Sequence, residues 1–111
     1  MFEYKAEVVR VIDGDTVVVK IDLGFHISVV HTLRLYAINA PEKRGGTREE
    51  KLKGWEATKH MEVLLQNHAP VIVKTIKDKT GKYGRILATL IGKDGTDLNQ
   101  QMIKDGHAVP S

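Results

Sequence analysis

The sequence contains no cysteine. Disulfides and thiolate metal sites are therefore excluded, and any metal would have to be a hard cation held by carboxylate and amide oxygens. Long apolar runs are also missing: no stretch approaches the roughly 18 residues that span a bilayer, and the N-terminal MFEYKAEVVR lacks the apolar core of a signal peptide. These absences predict a cytoplasmic protein without a membrane segment.

Size and charge set the next limits. A chain of 111 residues with 41% hydrophobic content predicts one domain spanning residues 1–111. The net charge is only +3, but residues 74–85 carry five basic side chains against Asp78 alone. This basic stretch would attract a polyanion, although a solvated hairpin edge explains it about equally well.

The hydrophobic pattern predicts a mainly β protein of the α+β class. We expect strands at residues 6–12, 16–21, 26–38 (one long, bent strand), 71–76 and 86–91. Between the third and fourth strands we expect a charged loop (43–53) and an amphipathic helix (55–66) whose apolar stripe is Ala57, Met61, Leu64 and Leu65. A short C-terminal helix capped by Asp97 follows. This order is typical of a five-stranded OB-fold Greek-key barrel.

Oxygen donors stand in two separate stretches. Asp13-Gly14-Asp15 is most simply a turn, but two carboxylates this close repel each other, and a cation would relieve the repulsion. If the barrel brings this turn beside the end of the third strand, Asp15, the amide oxygen of Asn39, the carbonyl of Ala40 and water could ligate one divalent ion. Calcium tolerates such irregular oxygen sets better than magnesium does.

Two arginines and one glutamate complete a possible reaction site. Arg34 and Arg85 are most simply surface side chains, but two guanidinium groups beside the carboxylates would hold a phosphodiester. Glu42 would then be the nearest free carboxylate able to take a proton from water, and so the candidate general base. The alternative for Pro41-Glu42 is a turn with a solvated acid.

The remaining candidates carry less chemistry. The five histidines show no metal-ligand spacing, which favours structural roles. Trp55, at the start of the predicted helix, is interpreted as a core or cap residue. No nucleophilic serine arrangement and no phosphate-cradling glycine motif is evident, so covalent catalysis and nucleotide hydrolysis lose support.

Taken together, the segments IDGDT (12–16), RLYAINAPE (34–42) and KYGR (82–85) resemble the staphylococcal nuclease family in their order, spacing and fit to the predicted elements. The resemblance spans nearly the whole chain. It implies Ca²⁺-dependent hydrolysis of DNA and RNA at the P–O5′ bond, which leaves 3′-phosphates. A short member without a signal peptide suits an intracellular role in a bacterium, plasmid or phage.

The resemblance also implies a role for individual residues. Asp15 matches the metal-ligand aspartate, Glu42 the water-activating glutamate, and Arg34 and Arg85 the phosphate-binding arginines. It also gives Asp13 a supporting role beside the metal and Tyr83 one near the nucleotide phosphate. Independently of the resemblance, Lys79 and Lys82 of the basic stretch are expected to bind nucleic acid.

The sequence departs from the family pattern at two further positions that bear on metal binding. Asn39 stands in place of the second metal-binding aspartate, and Ala40 in place of a threonine whose main-chain carbonyl is a ligand. Loss of one carboxylate should weaken Ca²⁺ binding about tenfold or more if charge count dominates.

Three functions remain open at this point. The first is a nuclease of little sequence specificity that acts on single-stranded DNA or RNA. The second is a catalytically weakened OB-fold module that binds nucleic acid or a protein partner. The third is a small interaction domain without nucleic-acid contact, which the basic stretch disfavours.

Overall fold

A computed structural model of the chain describes residues 2–80 and 86–111, and of residues 77–80 the backbone alone. The elements within these ranges are, in chain order, β1 (Phe2–Asp13), β2 (Thr16–Gly24), β3 (Ile27–Leu35), β4 (Ile38–Asn39), α1 (Arg48–His68), β5 (Val71–Thr80), β6 (Ile86–Ile91), α2 (Leu98–Lys104) and β7 (Val109–Pro110). No helix in these ranges is long and apolar enough to span a membrane.

Five strands close into a barrel in the order β1-β2-β3-β6-β5. The pairs β1–β2, β2–β3, β5–β6 and β1–β5 are antiparallel, and the parallel pair β3–β6 closes the ring. Register shifts in β1 increase its twist and help it follow the curve of the barrel. The predicted OB-type barrel with one helix between its third and fourth strands is confirmed.

The alternating pattern of the third strand holds only as far as Leu35. Leu33 and Leu35 face the core, as predicted, but the strand does not continue to Ile38. Ala37 adopts a positive φ of 64°, which breaks the extended backbone after Tyr36. The short strand β4 then leaves the barrel and pairs with β7, so the prediction of one long bent strand over 26–38 was wrong.

Helix α1 is longer than its apolar stripe. The predicted core residues Ala57, Met61, Leu64 and Leu65 are all buried against the barrel. The helix nevertheless begins at Arg48, inside the predicted loop, because the Thr47 side chain accepts a hydrogen bond from the Glu50 amide and caps the first turn. Capping thus adds about two turns that hydrophobic periodicity did not reveal.

Helix α2 closes the end of the barrel near β6. Its predicted cap is confirmed, since the Asp97 carboxylate accepts a 3.0 Å hydrogen bond from the Gln100 amide. Leu98 and Met102 are fully buried. The buried Asn99 carboxamide joins three backbone groups, accepting from the Leu90 amide at 3.1 Å and donating to the carbonyls of Tyr36 at 3.0 Å and Ala88 at 3.1 Å. These bonds fix the turn that follows β3.

Candidate active site at the end of the barrel

Asp15 is the buried centre of the site. Its side chain lies in the turn between β1 and β2, and the residue is only 5% exposed. One carboxylate oxygen, Oδ1, accepts a 3.0 Å hydrogen bond from the Thr16 hydroxyl, and Oδ2 accepts a 2.8 Å hydrogen bond from the Ala40 amide. The carboxylate is therefore fixed in place and tied to the segment that follows β4.

Gly14 explains how the turn comes so close to that segment. A Cβ atom at position 14 would lie 3.0 Å from the Cβ atoms of both Ala40 and Ala57. A side chain there would push the turn away from β4 and from α1. The glycine of the Asp-Gly-Asp motif thus serves close packing, which lets Asp15 reach the Ala40 amide.

Arg34 connects Asp15 to Asn39. Its Nη2 atom lies 3.5 Å from Asp15 Oδ2 and 3.4 Å from the amide oxygen of Asn39. Its Nη1 atom donates a 2.9 Å hydrogen bond to the carbonyl of Leu35. The Arg34 side chain is 20% exposed, so it is held by these contacts and still reaches solvent. The structure therefore brings Asp15, Arg34, Asn39 and Ala40 together, as the sequence analysis required.

Glu42 lies just beyond this group, on the connection from β4 to α1. Its side chain is exposed. The next amide, that of Lys43, donates a 3.3 Å hydrogen bond to Asp13 Oδ1. Asp13 thus holds the Glu42 segment against the end of β1.

Four of the predicted residues cannot be placed. Lys82, Tyr83 and Arg85 lie outside the described residues, as does the side chain of Lys79. Their roles stay predictions.

Comparison with known proteins identifies the family. The sequence of residues 32–110 matches the family described as staphylococcal nuclease homologue, which is well over half of the chain. The chain belongs to this family.

Two curated relatives agree with this assignment. The chain is 29% identical over 111 residues to the protein named Endonuclease YhcR of Bacillus subtilis (strain 168), a match that covers 96% of this chain and 9% of that protein. It is 34% identical over 101 residues to an uncharacterized endonuclease of Escherichia coli, with 91% of this chain and 57% of that protein covered. The chain thus spans less than two thirds of either relative.

The oxygen atoms near Asp15 in this staphylococcal nuclease homologue are of the chemical types that bind a hard cation. The Asp15 carboxylate and the Asn39 amide oxygen both contact Arg34 Nη2, and the Ala40 amide donates to Asp15; Ca²⁺ takes carboxylate, amide and peptide carbonyl oxygens as ligands. Among the residues that the structure describes, no three His, Asp or Glu side chains lie close enough to hold an ion by themselves. An ion here would therefore depend on the amide and carbonyl oxygens and on water.

Gly54 was missed by the sequence analysis. This residue lies within α1, and a Cβ atom there would overlap the carbonyl group of Glu42 and lie 2.6 Å from the Lys43 amide nitrogen. Glycine lets the Glu42–Lys43 peptide pack directly on the helix. A glycine inside a helical pattern costs about 1 kcal/mol, and this cost could have indicated a packing role.

Trp55 was predicted to be a core or cap residue, and this was wrong. The residue is 59% exposed, and its ring lies under the Lys43 ammonium group, with Nζ 4.6 Å from the ring centroid. The apolar stripe of α1 passes through Ala57 and Met61, and position 55 points away from it.

Three histidines, His60, His68 and His107, make side-chain contacts that join separate segments of the chain. His60 Nε2 lies 2.6 Å from Asp105 Oδ2 and its ring stacks on that of His107, which ties α1 to the segment after α2. The hydrogen bond from His60 lowers the pKa of Asp105.

His68 Nδ1 lies 3.1 Å from Asp94 Oδ1. Hydrogen bonds from Thr96, with a smaller contribution from His68, lower the pKa of Asp94 to about 2.

Proposed function

We propose that this protein is a nuclease that hydrolyses phosphodiester bonds in DNA or RNA with Ca²⁺ and with little sequence specificity. The observation that carries the proposal is the assembly of Asp15, Arg34 and Asn39, in which one guanidinium lies 3.5 Å from a buried carboxylate and 3.4 Å from an amide oxygen. Family membership and the endonuclease names of the two relatives support the same activity.

The proposed substrate follows from what these groups can contact. They address phosphate, and none of them is a base-reading element, so we expect activity on many sequences. A single strand is the preferred form, since its backbone is accessible to a site at the end of a barrel.

Arg34 is proposed to bind the scissile phosphate. Its guanidinium is anchored by the Leu35 carbonyl and is still partly open to solvent. Guanidinium N–H groups pair well with phosphate oxygens, and a fixed donor can stabilise the charge that develops as water attacks. Arg85 is proposed to do the same from the other side, and Tyr83, Lys79 and Lys82 to contact the nucleic acid. The proposals for Arg85 and Tyr83 rest on the family resemblance, and those for Lys79 and Lys82 on the charge of the basic stretch.

Glu42 is proposed as the general base. Its exposed carboxylate would accept a proton from the attacking water while the water oxygen forms a bond to phosphorus. The P–O5′ bond breaks, the 5′-oxygen takes up a proton from solvent, and a 3′-phosphate remains. Asp13 would position Glu42, because its carboxylate accepts a hydrogen bond from the amide of the next residue, Lys43.

The residues that would hold Ca²⁺ are Asp15, Asn39 and the carbonyl of Ala40. When bound, the ion would polarise a phosphoryl oxygen and neutralise negative charge. The hydrogen bond from the Ala40 amide to Asp15 is the observation that favours one shared site, since it brings both ends of the donor set together.

Cleavage of a labelled oligonucleotide with and without chelator tests the proposal. Chelator should abolish cleavage. Glu42→Gln should lower kcat about 10²- to 10⁴-fold, and Arg34→Ala about 10²- to 10³-fold. Glu62→Gln and Arg10→Ala replace exposed residues of the same types away from the site and serve as matched controls. Cleavage that survives chelation would contradict the proposal.

One observation favours a second candidate function. Asp15 contributes a single carboxylate to the donor set, because Asn39 supplies an amide in place of a second one. A module that has lost metal affinity would still bind nucleic acid through Arg34 and the basic stretch. Oligonucleotide binding without metal-stimulated cleavage would support this function instead.

A further inference from the structure

Trp55 is an exposed aromatic ring fixed beside the proposed general base. It is the one tryptophan of the chain, and 59% of its surface faces solvent. The Lys43 ammonium group lies 4.6 Å from the ring centroid, in the geometry of a cation–π contact. Lys43 follows Glu42 directly, so ring, cation and carboxylate belong to one patch of surface.

The packing of α1 against the Glu42 segment makes this arrangement rigid. Gly54 has no Cβ, and its backbone lies against the Glu42–Lys43 peptide. On the other side, the Lys43 amide is bonded to Asp13. Trp55 is the next residue of the helix, so its backbone is held close to the Glu42–Lys43 peptide, and the contact with Lys43 favours the observed position of its ring. An aromatic ring already held in place loses little conformational entropy when a ligand stacks on it.

The distribution of charge around Trp55 indicates an anion on one side. Lys43 lies over the ring, and Lys53 precedes it by two residues on the helix. Two separate grooves share Glu56: one of about 460 Å³ is also lined by Lys53, and one of about 550 Å³ is lined by Trp55, Lys59 and Glu62. Lys43 and Lys53 together give this side of Trp55 two positive charges, which attract a polyanion.

We infer that Trp55 and Lys43 form a binding site for one nucleotide of a single-stranded nucleic acid, next to the scissile phosphodiester. The base stacks on the exposed indole ring, and the Lys43 ammonium group contacts the adjoining phosphate. This inference rests on the proposed function for its substrate. Stacking on an aromatic ring accepts every base, which agrees with cleavage of little sequence specificity.

The tryptophan itself reports the proposed contact. We would titrate oligothymidylate of six nucleotides, and oligouridylate in parallel, into the protein in chelator, where cleavage cannot interfere. A stacked base should quench Trp55 fluorescence in a saturable and salt-dependent way. The same titration of Glu42→Gln with Ca²⁺ present measures binding in the metal-loaded state.

Variants measure how much the contact contributes. Binding of a labelled oligonucleotide should weaken about 5- to 150-fold in Trp55→Ala and much less in Trp55→Phe, since one aromatic stacking contact is worth ~1–3 kcal/mol. Lys43→Gln should reduce the slope of log affinity against log salt by about 0.7, the effect of one phosphate contact on a single strand. Phe25→Ala is the matched control, because Phe25 is 94% exposed in the turn at the far end of β2. Unchanged thermal unfolding of Trp55→Ala would show that the variant is folded.

The outcomes separate this inference from the proposed function. Quenching without any metal-stimulated cleavage would support the Trp55 site and contradict the nuclease. Cleavage that proceeds normally in Trp55→Ala, with no quenching in the wild type, would overturn the Trp55 site and leave the nuclease standing. Equal weakening in Phe25→Ala and Trp55→Ala would also overturn it, since binding would then not be local to Trp55.

Discussion

Gly54→Ala is the change that tests most directly how the helix positions the proposed general base. The new methyl group would overlap the Glu42 carbonyl and lie 2.6 Å from the Lys43 nitrogen, whereas Cβ contacts below 3.0 Å essentially do not occur. Both groups are backbone, so they cannot rotate away. The Glu42–Lys43 peptide has to move, by roughly 0.5–1 Å, a displacement that in an active site can cost up to about 10²-fold in rate.

The same substitution should lower stability only moderately. Overpacking costs about 1–3 kcal/mol, but alanine is favoured over glycine within a helix by about 1 kcal/mol. The net loss in the free energy of unfolding is therefore about 0–2 kcal/mol. We expect a folded protein whose kcat for oligonucleotide cleavage falls about 10- to 100-fold while its KM changes little.

The assay pairs steady-state cleavage with denaturant unfolding. Ile21→Val removes one methylene from the core, in the half of β2 that lies away from Asp15, and should cost a similar 0.5–1.5 kcal/mol or so without moving Glu42. It serves as the control for stability alone. If Gly54→Ala retains full kcat, or if Ile21→Val loses as much, the positioning argument is refuted.

Three further predictions concern other parts of the chain. Asn39→Asp adds a second carboxylate to the donor set and should raise Ca²⁺ affinity about tenfold or more, as measured by calorimetry; unchanged affinity would show that position 39 is not a ligand. Asn99→Ala removes the hydrogen bonds to the Leu90 amide and the Tyr36 carbonyl, while the Ala88 carbonyl keeps the Tyr36 amide as a partner, and should lower the free energy of unfolding by about 2–4 kcal/mol in urea; a loss below about 1 kcal/mol would mean that water replaces the carboxamide. Because the pKa of Asp94 is lowered from 3.8 to about 2, its ionised form stabilises the fold above about pH 4, and this contribution is lost as the pH falls toward 2. The difference in Tm between the wild type and Asp94→Asn should therefore be constant above about pH 5 and shrink below it, and a difference that grows on acidification would contradict the assignment.

Local sequence patterns predicted much of the fold. The alternation at Leu33 and Leu35, the stripe from Ala57 to Leu65 and the cap at Asp97 each depend on neighbouring residues, and each is confirmed. The first turns of α1 and the bend at Ala37 were not predicted, because neither has a hydrophobic pattern in the sequence. A cap on a polar helix and a positive φ at alanine leave no hydrophobic period to detect.

The site divides in the same way. The chemical character of Asp15, Arg34 and Asn39 was readable from the sequence, and the structure brings them together as expected. Gly54 and Asn99 were not identified, because each acts on backbone that is distant along the chain. Their roles depend on which distant backbone groups they contact in the fold, and one sequence alone does not show those contacts.

The pairing of β4 with β7 is less stable than the barrel, so this two-stranded ribbon beside Asn39 can open locally while the barrel stays folded. Only two residues on each side form this ribbon, with one further bond from the Ser111 amide to the Ala37 carbonyl, whereas the barrel is closed by strands of six to twelve residues. Short exposed ribbons open at a far smaller free-energy cost than the global unfolding of a barrel. Val109 and Pro110 are both exposed, whereas Ile38 is only 1% exposed, so β7 can detach and return while Ile38 stays in the core. Amide hydrogen exchange at Asn39 and Ser111 would then run ahead of exchange in β2 and β3 by orders of magnitude, and binding at Asp15 and Asn39 would slow it selectively.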